Sequence, residues 1–256
     1  MHRALRGPRP LVFAHRGGAK IGPENTWLAF DRGLAAGANG LELDVHLSRD
    51  GEVVVMHDRT VDRTTDARGP VARFTAAELG QMNVLGSGTG VPLLREVLER
   101  YRDVPIIVEM KVSSRSIALR VVDLVRQARA LDRVALGSFH AGPLKAARVH
   151  EPAIPTGSAP AETRLALYAS YLGIAPFWAS YRSFQVPERT RGTRIVSERF
   201  VRLAHAAGVA VQVWTVDTAA EMTRLLDWGV DAIISDRPDL AVETVRAWSS
   251  RRGSAS

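Results

Sequence analysis

Short apolar runs rich in β-branched residues alternate with stretches of helical periodicity along nearly the whole chain, and this alternation limits the folds open to it. The strand-like runs are Leu11 to His15, Gly40 to His46, Val53 to His57, Pro105 to Lys111, Val134 to Phe139, Ile154 to Ser158, Ser183 to Val186, Ala210 to Val216 and Ala232 to Ser235. Helical patterns cover Glu24 to Ala36, Ile117 to Ala130, Pro143 to His150, Glu162 to Tyr171, Ser197 to Ala207, Ala219 to Trp228 and Leu240 to Trp248. Strands separated by helices pair in parallel, because the crossover helix returns the chain to the starting edge. Val53 to His57 follows the turn Asp50-Gly51 and reads as the return arm of a hairpin. Eight strands remain, and eight βα units predict an α/β protein of the (β/α)₈ TIM-barrel class.

The pattern breaks between residues 58 and 104. A glycine-rich patch from Leu85 to Val91 lies there between two helix-like stretches, Thr75 to Met82 and Leu93 to Tyr101. It reads as a small insertion after the second strand, the kind of excursion that often lies over an active site. The glycines have neither the strand nor the helix context of a phosphate-cradling loop. The chain of 256 residues is expected to form one barrel domain over residues 1–248, with a polar, disordered tail over 249–256.

Composition then removes function classes. With no cysteine, neither a disulfide framework nor a thiolate site can form. No apolar run approaches the roughly 18 residues of a membrane span, and the N-terminus lacks the apolar core of a signal peptide, so the expected location is cytoplasmic. The formal charge of +7 suits an anionic partner and leaves peripheral membrane contact open. Only three of the 34 basic residues are lysines, and the arginines are scattered rather than clustered, so no nucleic-acid role is expected.

Ionisable residues gather where the early strands end, the face on which barrel enzymes build their sites. The first strand runs into His15-Arg16-Gly17-Gly18. In the second, alternation sends Glu42, Asp44 and His46 to one face. Carboxylates on the inward side of a buried strand are costly unless a cation neutralises them. The hairpin arm ends in His57-Asp58, and the next barrel strand ends in Glu109-Met110-Lys111. Glu42, Asp44 and Glu109 could converge on one hard divalent cation, magnesium or calcium rather than zinc. With Arg16 and Lys111 to neutralise a phosphodiester, and His15 and His57 to move protons, the set suits phosphodiester hydrolysis.

The same residues resemble a known family. His15-Arg16-Gly17 with Pro23-Glu24-Asn25-Thr26, Glu42-Leu43-Asp44-Val45, His57-Asp58, Arg63-Thr64-Thr65, Glu109-Met110-Lys111, Val213-Trp214-Thr215-Val216 and Ser235-Asp236-Arg237-Pro238 are similar in order and spacing to the glycerophosphodiester phosphodiesterases. The resemblance implies release of an alcohol and glycerol 3-phosphate from a small-molecule glycerophosphodiester, with one divalent cation, Mg²⁺ or Ca²⁺, as cofactor. It implies metal ligands at Glu42, Asp44 and Glu109, an acid/base pair at His15 and His57, phosphate contacts from Arg16 and Lys111, and Trp214 lining the alcohol or glycerol side. Family members usually carry Asn where this chain has Asp217, and residues 141–193 match only loosely. His46 has no role in the family motif and is read as a residue that either backs the ligands or sits at the rim. The rival readings are a lysophospholipase D-like enzyme on the same barrel and a non-catalytic phosphate-binding barrel.

Overall fold

Strands covered by helices on one side and by a barrel interior on the other bury both faces, so they read as continuous apolar runs. That is the pattern in the computed structural model, which describes residues 2–8 and 10–253. Its elements are β1 (Leu11–His15), α1 (Trp27–Ala35), β2 (Gly40–Leu47), β3 (Val53–Val55), α2 (Ala76–Gly80), α3 (Leu94–Arg100), β4 (Ile106–Met110), α4 (Arg115–Gln127), β5 (Val134–Gly137), α5 (Ala141–His150) and α6 (Pro160–Tyr171). The chain continues through β6 (Ser183–Pro187), β7 (Arg189–Thr190), β8 (Thr193–Arg194), α7 (Glu198–Ala206), β9 (Ala210–Trp214), α8 (Ala219–Asp227), β10 (Ala232–Ser235) and α9 (Pro238–Gly253).

Seven strands pair in the order β5-β4-β2-β1-β10-β9-β6, and β3 folds back antiparallel on β2 as the expected hairpin arm. The open seam between β5 and β6 is filled by residues 154–158. This segment was expected to be a regular strand, but it makes only two parallel bridges, Leu136 to Thr156 and Gly157 to Ser183. Two features of the seam account for its irregularity. Pro155 has no N–H to donate. The side chain of Gln185 also fills the space beside it, where a Cβ on Gly137 or Gly157 would lie 2.6 or 2.7 Å from Gln185 Oε1.

The barrel interior is packed by Leu11, Phe13, Ile107, Ala135, Ala232 and Ile234, with Ala4 closing the floor. Gln212 is fully buried there and donates from Nε2 to the carbonyl of Ala4 at 2.8 Å, which satisfies an inward amide. Two larger clusters between strands and helices form the outer core.

The excursion after β2 has its own small core of Val54, Met56, Val61, Val71, Leu79 and Val84. Part of it belongs to the barrel proper. Leu94, Val97 and Leu98 of α3 pack in the same core as α4, and Tyr101 just beyond α3 bonds Asp31 of α1 at 2.8 Å, so α3 is the outer helix of the second βα unit. The short β7–β8 hairpin was not foreseen, because Arg189 to Arg194 has no apolar alternation. Helix α9 runs to Gly253, into the segment expected to be a tail, and residues 254–256 lie outside the described residues.

Candidate active site

Strands β2 and β4 are paired in register, with Asp44 opposite Glu109, and Glu42 lies two residues earlier on the same face. One oxygen from each of Glu42, Asp44 and Glu109 lies within 4.8 Å of the others. Glu42 and Asp44 are almost fully buried, at 5% and 1% exposure. Burial, followed by the charge of Asp44, pushes the Glu42 carboxyl up to about 8. Burial and Asp44 also raise Glu109. Asp44 goes the other way: burial opposes its ionisation, but Lys111, His57, Arg16 and an Asn25 hydrogen bond hold it below the usual carboxylate range.

Two imidazoles border the cluster, His15 beside Glu42 and His57 close enough for its charge to act on Asp44 and Glu109. His15 ends β1, in register with Glu42, and its Nε2 lies 3.8 Å from Glu42 Oε2 while its Nδ1 meets Asp236 Oδ1 at 2.6 Å. Burial lowers its pKa, but Asp236 and Glu42 outweigh that and raise it. His57 contacts Asp58 Oδ1 through Nδ1, also at 2.6 Å. Arg63 holds Asp58 from Nε at 2.7 Å and also bonds Glu24, so Asp58 stays well below the usual carboxylate range. Of the two places expected for His46 the structure gives the one behind the site: it is buried, and its Nε2 lies 3.1 Å from the carbonyl of His57. It therefore props the backbone that carries the second imidazole.

Arg16 adopts a left-handed backbone, φ 52°, which is strained for a side chain of this size and typical of functional turns. Three contacts hold it there. Its N–H donates to Glu42 Oε2 at 3.1 Å, its carbonyl accepts from Asn25 at 2.8 Å, and Gly17 follows at φ 85° where a Cβ would lie 2.8 Å from the ring of Phe30. The guanidinium reaches Glu24 at 3.2 Å and Asp44 at 3.4 Å. Lys111 Nζ lies 3.1 Å from Asp44 and 3.0 Å from Glu109. Trp214, half-buried at the end of β9, packs edge-on against Phe139 with ring centroids 5.7 Å apart. Phe139 in turn lies 6.0 Å under Lys111 Nζ.

The sequence profile of the Glycerophosphoryl diester phosphodiesterase family matches residues 15–240, which takes in every one of these side chains. The chain belongs to this family. It is 32% identical to the glycerophosphodiester phosphodiesterase of Caldanaerobacter subterraneus subsp. tengcongensis, over 93% of this chain and 98% of that one. Its fold matches the crystal structure of the glycerophosphodiester phosphodiesterase from Agrobacterium tumefaciens with a TM-score of 0.78 and 26% identity, covering 93% of this chain and 99% of that one. A phosphodiesterase from Oleispira antarctica, solved with its product sn-glycerol-3-phosphate, shares the fold at a TM-score of 0.78 and 24% identity, over 93% of this chain and 97% of that one. Family membership places the chain among the phosphoric diester hydrolases.

The donors suit the divalent cation on which this family generally depends. Three carboxylates meet at one point, two of them buried and two with raised pKa, and a hard cation relieves that repulsion better than protons do. Of the eight residues singled out from sequence, His15, Arg16, Glu109, Lys111 and Trp214 lie at or just beyond the C-terminal ends of barrel strands, Glu42 and Asp44 lie within β2, and His57 follows the hairpin arm β3. Sequence reasoning missed the partners: Asp58 and Asp236 on the imidazoles, Asn25 on Asp44, the Glu24–Arg63 pair and Phe139. Asp58 could have been found as the acid next to His57. Asp236 stands in the motif Ser235-Asp236-Arg237-Pro238, beyond the strand that closure sets beside β1, but its contact with Nδ1 of His15 carries no local signal.

Proposed function

We propose that this family member hydrolyses glycerophosphodiesters to an alcohol and glycerol 3-phosphate, with a divalent cation at Glu42, Asp44 and Glu109 and proton transfer shared by His15 and His57. The observation that carries this reading is the gathering of three carboxylates near two imidazoles, each gripped through Nδ1 by an aspartate. The sn-glycerol-3-phosphate in the Oleispira enzyme fits the product expected here.

The chemistry of each part follows from its contacts. An aspartate on Nδ1 fixes the N–H there and leaves Nε2 as the working nitrogen. One imidazole then takes the proton of the nucleophile and the other returns a proton to the leaving alkoxide. Arg16 and Lys111, set between carboxylates in the cluster, supply donors for the phosphate oxygens. A bound Mg²⁺ or Ca²⁺ supplies charge neutralisation at the phosphoryl group as negative charge builds. The edge-packed Trp214 and Phe139 form an apolar wall at the mouth, suited to the carbon skeleton of the alcohol or glycerol.

No helix among the described residues is long and apolar enough to cross a membrane. A cytoplasmic location belongs to the same proposal and is checked by cell fractionation. For the chemistry, His15→Ala and His57→Ala are assayed on glycerophosphocholine with Mg²⁺ or Ca²⁺ present. Each is expected to lose about 10²-fold or more in kcat, and near-normal turnover by either variant would overturn the acid/base assignment. Preference for a detergent-dispersed lysolipid over glycerophosphocholine would instead favour a lysophospholipase D.

A further inference from the structure

Single exposed apolar residues are ordinary on a protein surface, but clusters are not. Of the eleven large apolar side chains that are exposed among the described residues, seven fall between residues 165 and 178. Leu165, Tyr168 and Leu172 line one outward side of α6 and its end, while Ala166, Leu167 and Ser170 of the same helix face the core. Tyr171 closes the helix, its ring 6.4 Å from that of Tyr168. The loop beyond adds Ile174, Phe177 and Trp178. Leu172 is 78% exposed and Phe177 76%, so these side chains do little to hold the fold together.

The charges around this patch are mostly of one sign. Arg164, Arg182, Arg199 and Arg202 are all exposed, and Arg199 donates to the carbonyl of Tyr171 at 3.3 Å. Between residues 160 and 206 the carboxylates are Glu162, Glu188 and Glu198. Arg148 engages Glu162, and Arg194 and Arg224 engage Glu188, which leaves Glu198 as the acid without such a partner among the described residues. A two-fold pairing of this surface with a second copy would set arginine against arginine. An anionic surface complements it instead. Aromatic rings with an apolar body and a polar tip, accompanied by exposed arginines, suit the headgroup layer of a bilayer.

We propose that α6 and the loop that follows it form a docking surface for membranes bearing anionic lipid. This surface is separate from the barrel mouth, because the loop leads into the N-terminal end of β6 while the carboxylates lie level with the C-terminal ends of β1 and β4, Glu42 opposite His15 and Asp44 opposite Glu109. Docking therefore leaves the mouth facing the aqueous phase, where a deacylated diester would be found.

Vesicle flotation of the full chain tests this. The wild type is expected to float with phosphatidylcholine vesicles containing phosphatidylglycerol, less so as salt rises, and not with pure phosphatidylcholine. The double variant Phe177→Ser/Trp178→Ser should lose roughly tenfold or more of the binding, with hydrolysis of glycerophosphocholine in solution unchanged. A second pair, Arg164→Glu/Arg202→Glu, should abolish flotation while preserving the same hydrolysis, and it decides the matter alone if the first variant does not fold. Failure of the wild type to float with anionic vesicles would overturn the idea, as would a wild-type dimer by light scattering that either pair converts to monomer.

Discussion

Each imidazole at the barrel mouth is only as useful as the aspartate that orients it. Replacing Asp236 by Asn leaves a side chain of the same shape on His15 but removes the charge that favours the Nδ1–H form. Asp236→Asn should lower kcat by roughly 10²-fold with a much smaller effect on KM, and steady-state kinetics on glycerophosphocholine check it. The Glu42 carboxyl, pushed up to about 8 by burial first and by Asp44 second, is disfavoured as an anion until a cation arrives. Glu42→Gln should therefore melt no lower than wild type in chelator. The rise in Tm that saturating Mg²⁺ or Ca²⁺ gives the wild type, which corresponds to about 2.7 kcal/mol at one hundred times Kd, should be missing. A stabilisation by cation equal to that of wild type would remove Glu42 from the ligand set. At this scale the sequence displayed the reactive groups but not their supports. Acids and imidazoles at strand ends are visible in alternation, whereas the partner of His15 lies 221 residues away.

The helices that position these groups are set by caps and ion pairs. Thr26 at the N-cap of α1 accepts from the N–H of Ala29 and donates to the carbonyl of Pro23 at 2.7 Å, fixing the turn that also carries Asn25. Thr26→Ala should destabilise the protein by about 1 kcal/mol, read from denaturant unfolding. Glu162 starts α6 by accepting from the N–H of Ala159 at 2.7 Å and pairing with Arg148. Burial opposes ionisation of Glu162, but the Arg148 and Ala159 contacts outweigh it and depress the pKa. A carboxyl depressed in the folded state adds stability above its ordinary pKa of about 4.3 and loses it as pH falls through the lower folded value. Glu162→Gln should thus narrow the gap in Tm between neutral and acid pH, and melting from pH 7 to pH 3 checks it. Element boundaries were largely readable, since periodicity and caps are local. The β7–β8 hairpin was not, because its exposed polar residues carry no periodic signal.

Over the whole molecule, closure of the barrel turns a string of βα units into one site. Gly40 marks how tightly it closes, since a Cβ there would lie 2.5 Å from both the Pro105 carbonyl and the ring of Phe13. Gly40→Ala should cost about 1–3 kcal/mol or more through overpacking, and an unchanged Tm would mean that the floor yields. The order of strand types, the hairpin return and the acidic, basic and imidazole residues at strand ends were all determined by the sequence, because alternation and burial act over a few neighbouring residues. Barrel closure expected from the sequence already set the last strand beside the first, and the tertiary structure alone decided that Asp236 beyond it meets Nδ1 of His15. It also decided that the fifth position closes by two bridges around Gln185, and that seven large apolar side chains between residues 165 and 178 are left exposed. Those outcomes depend on contacts between residues far apart in the chain, which only the closed barrel brings together.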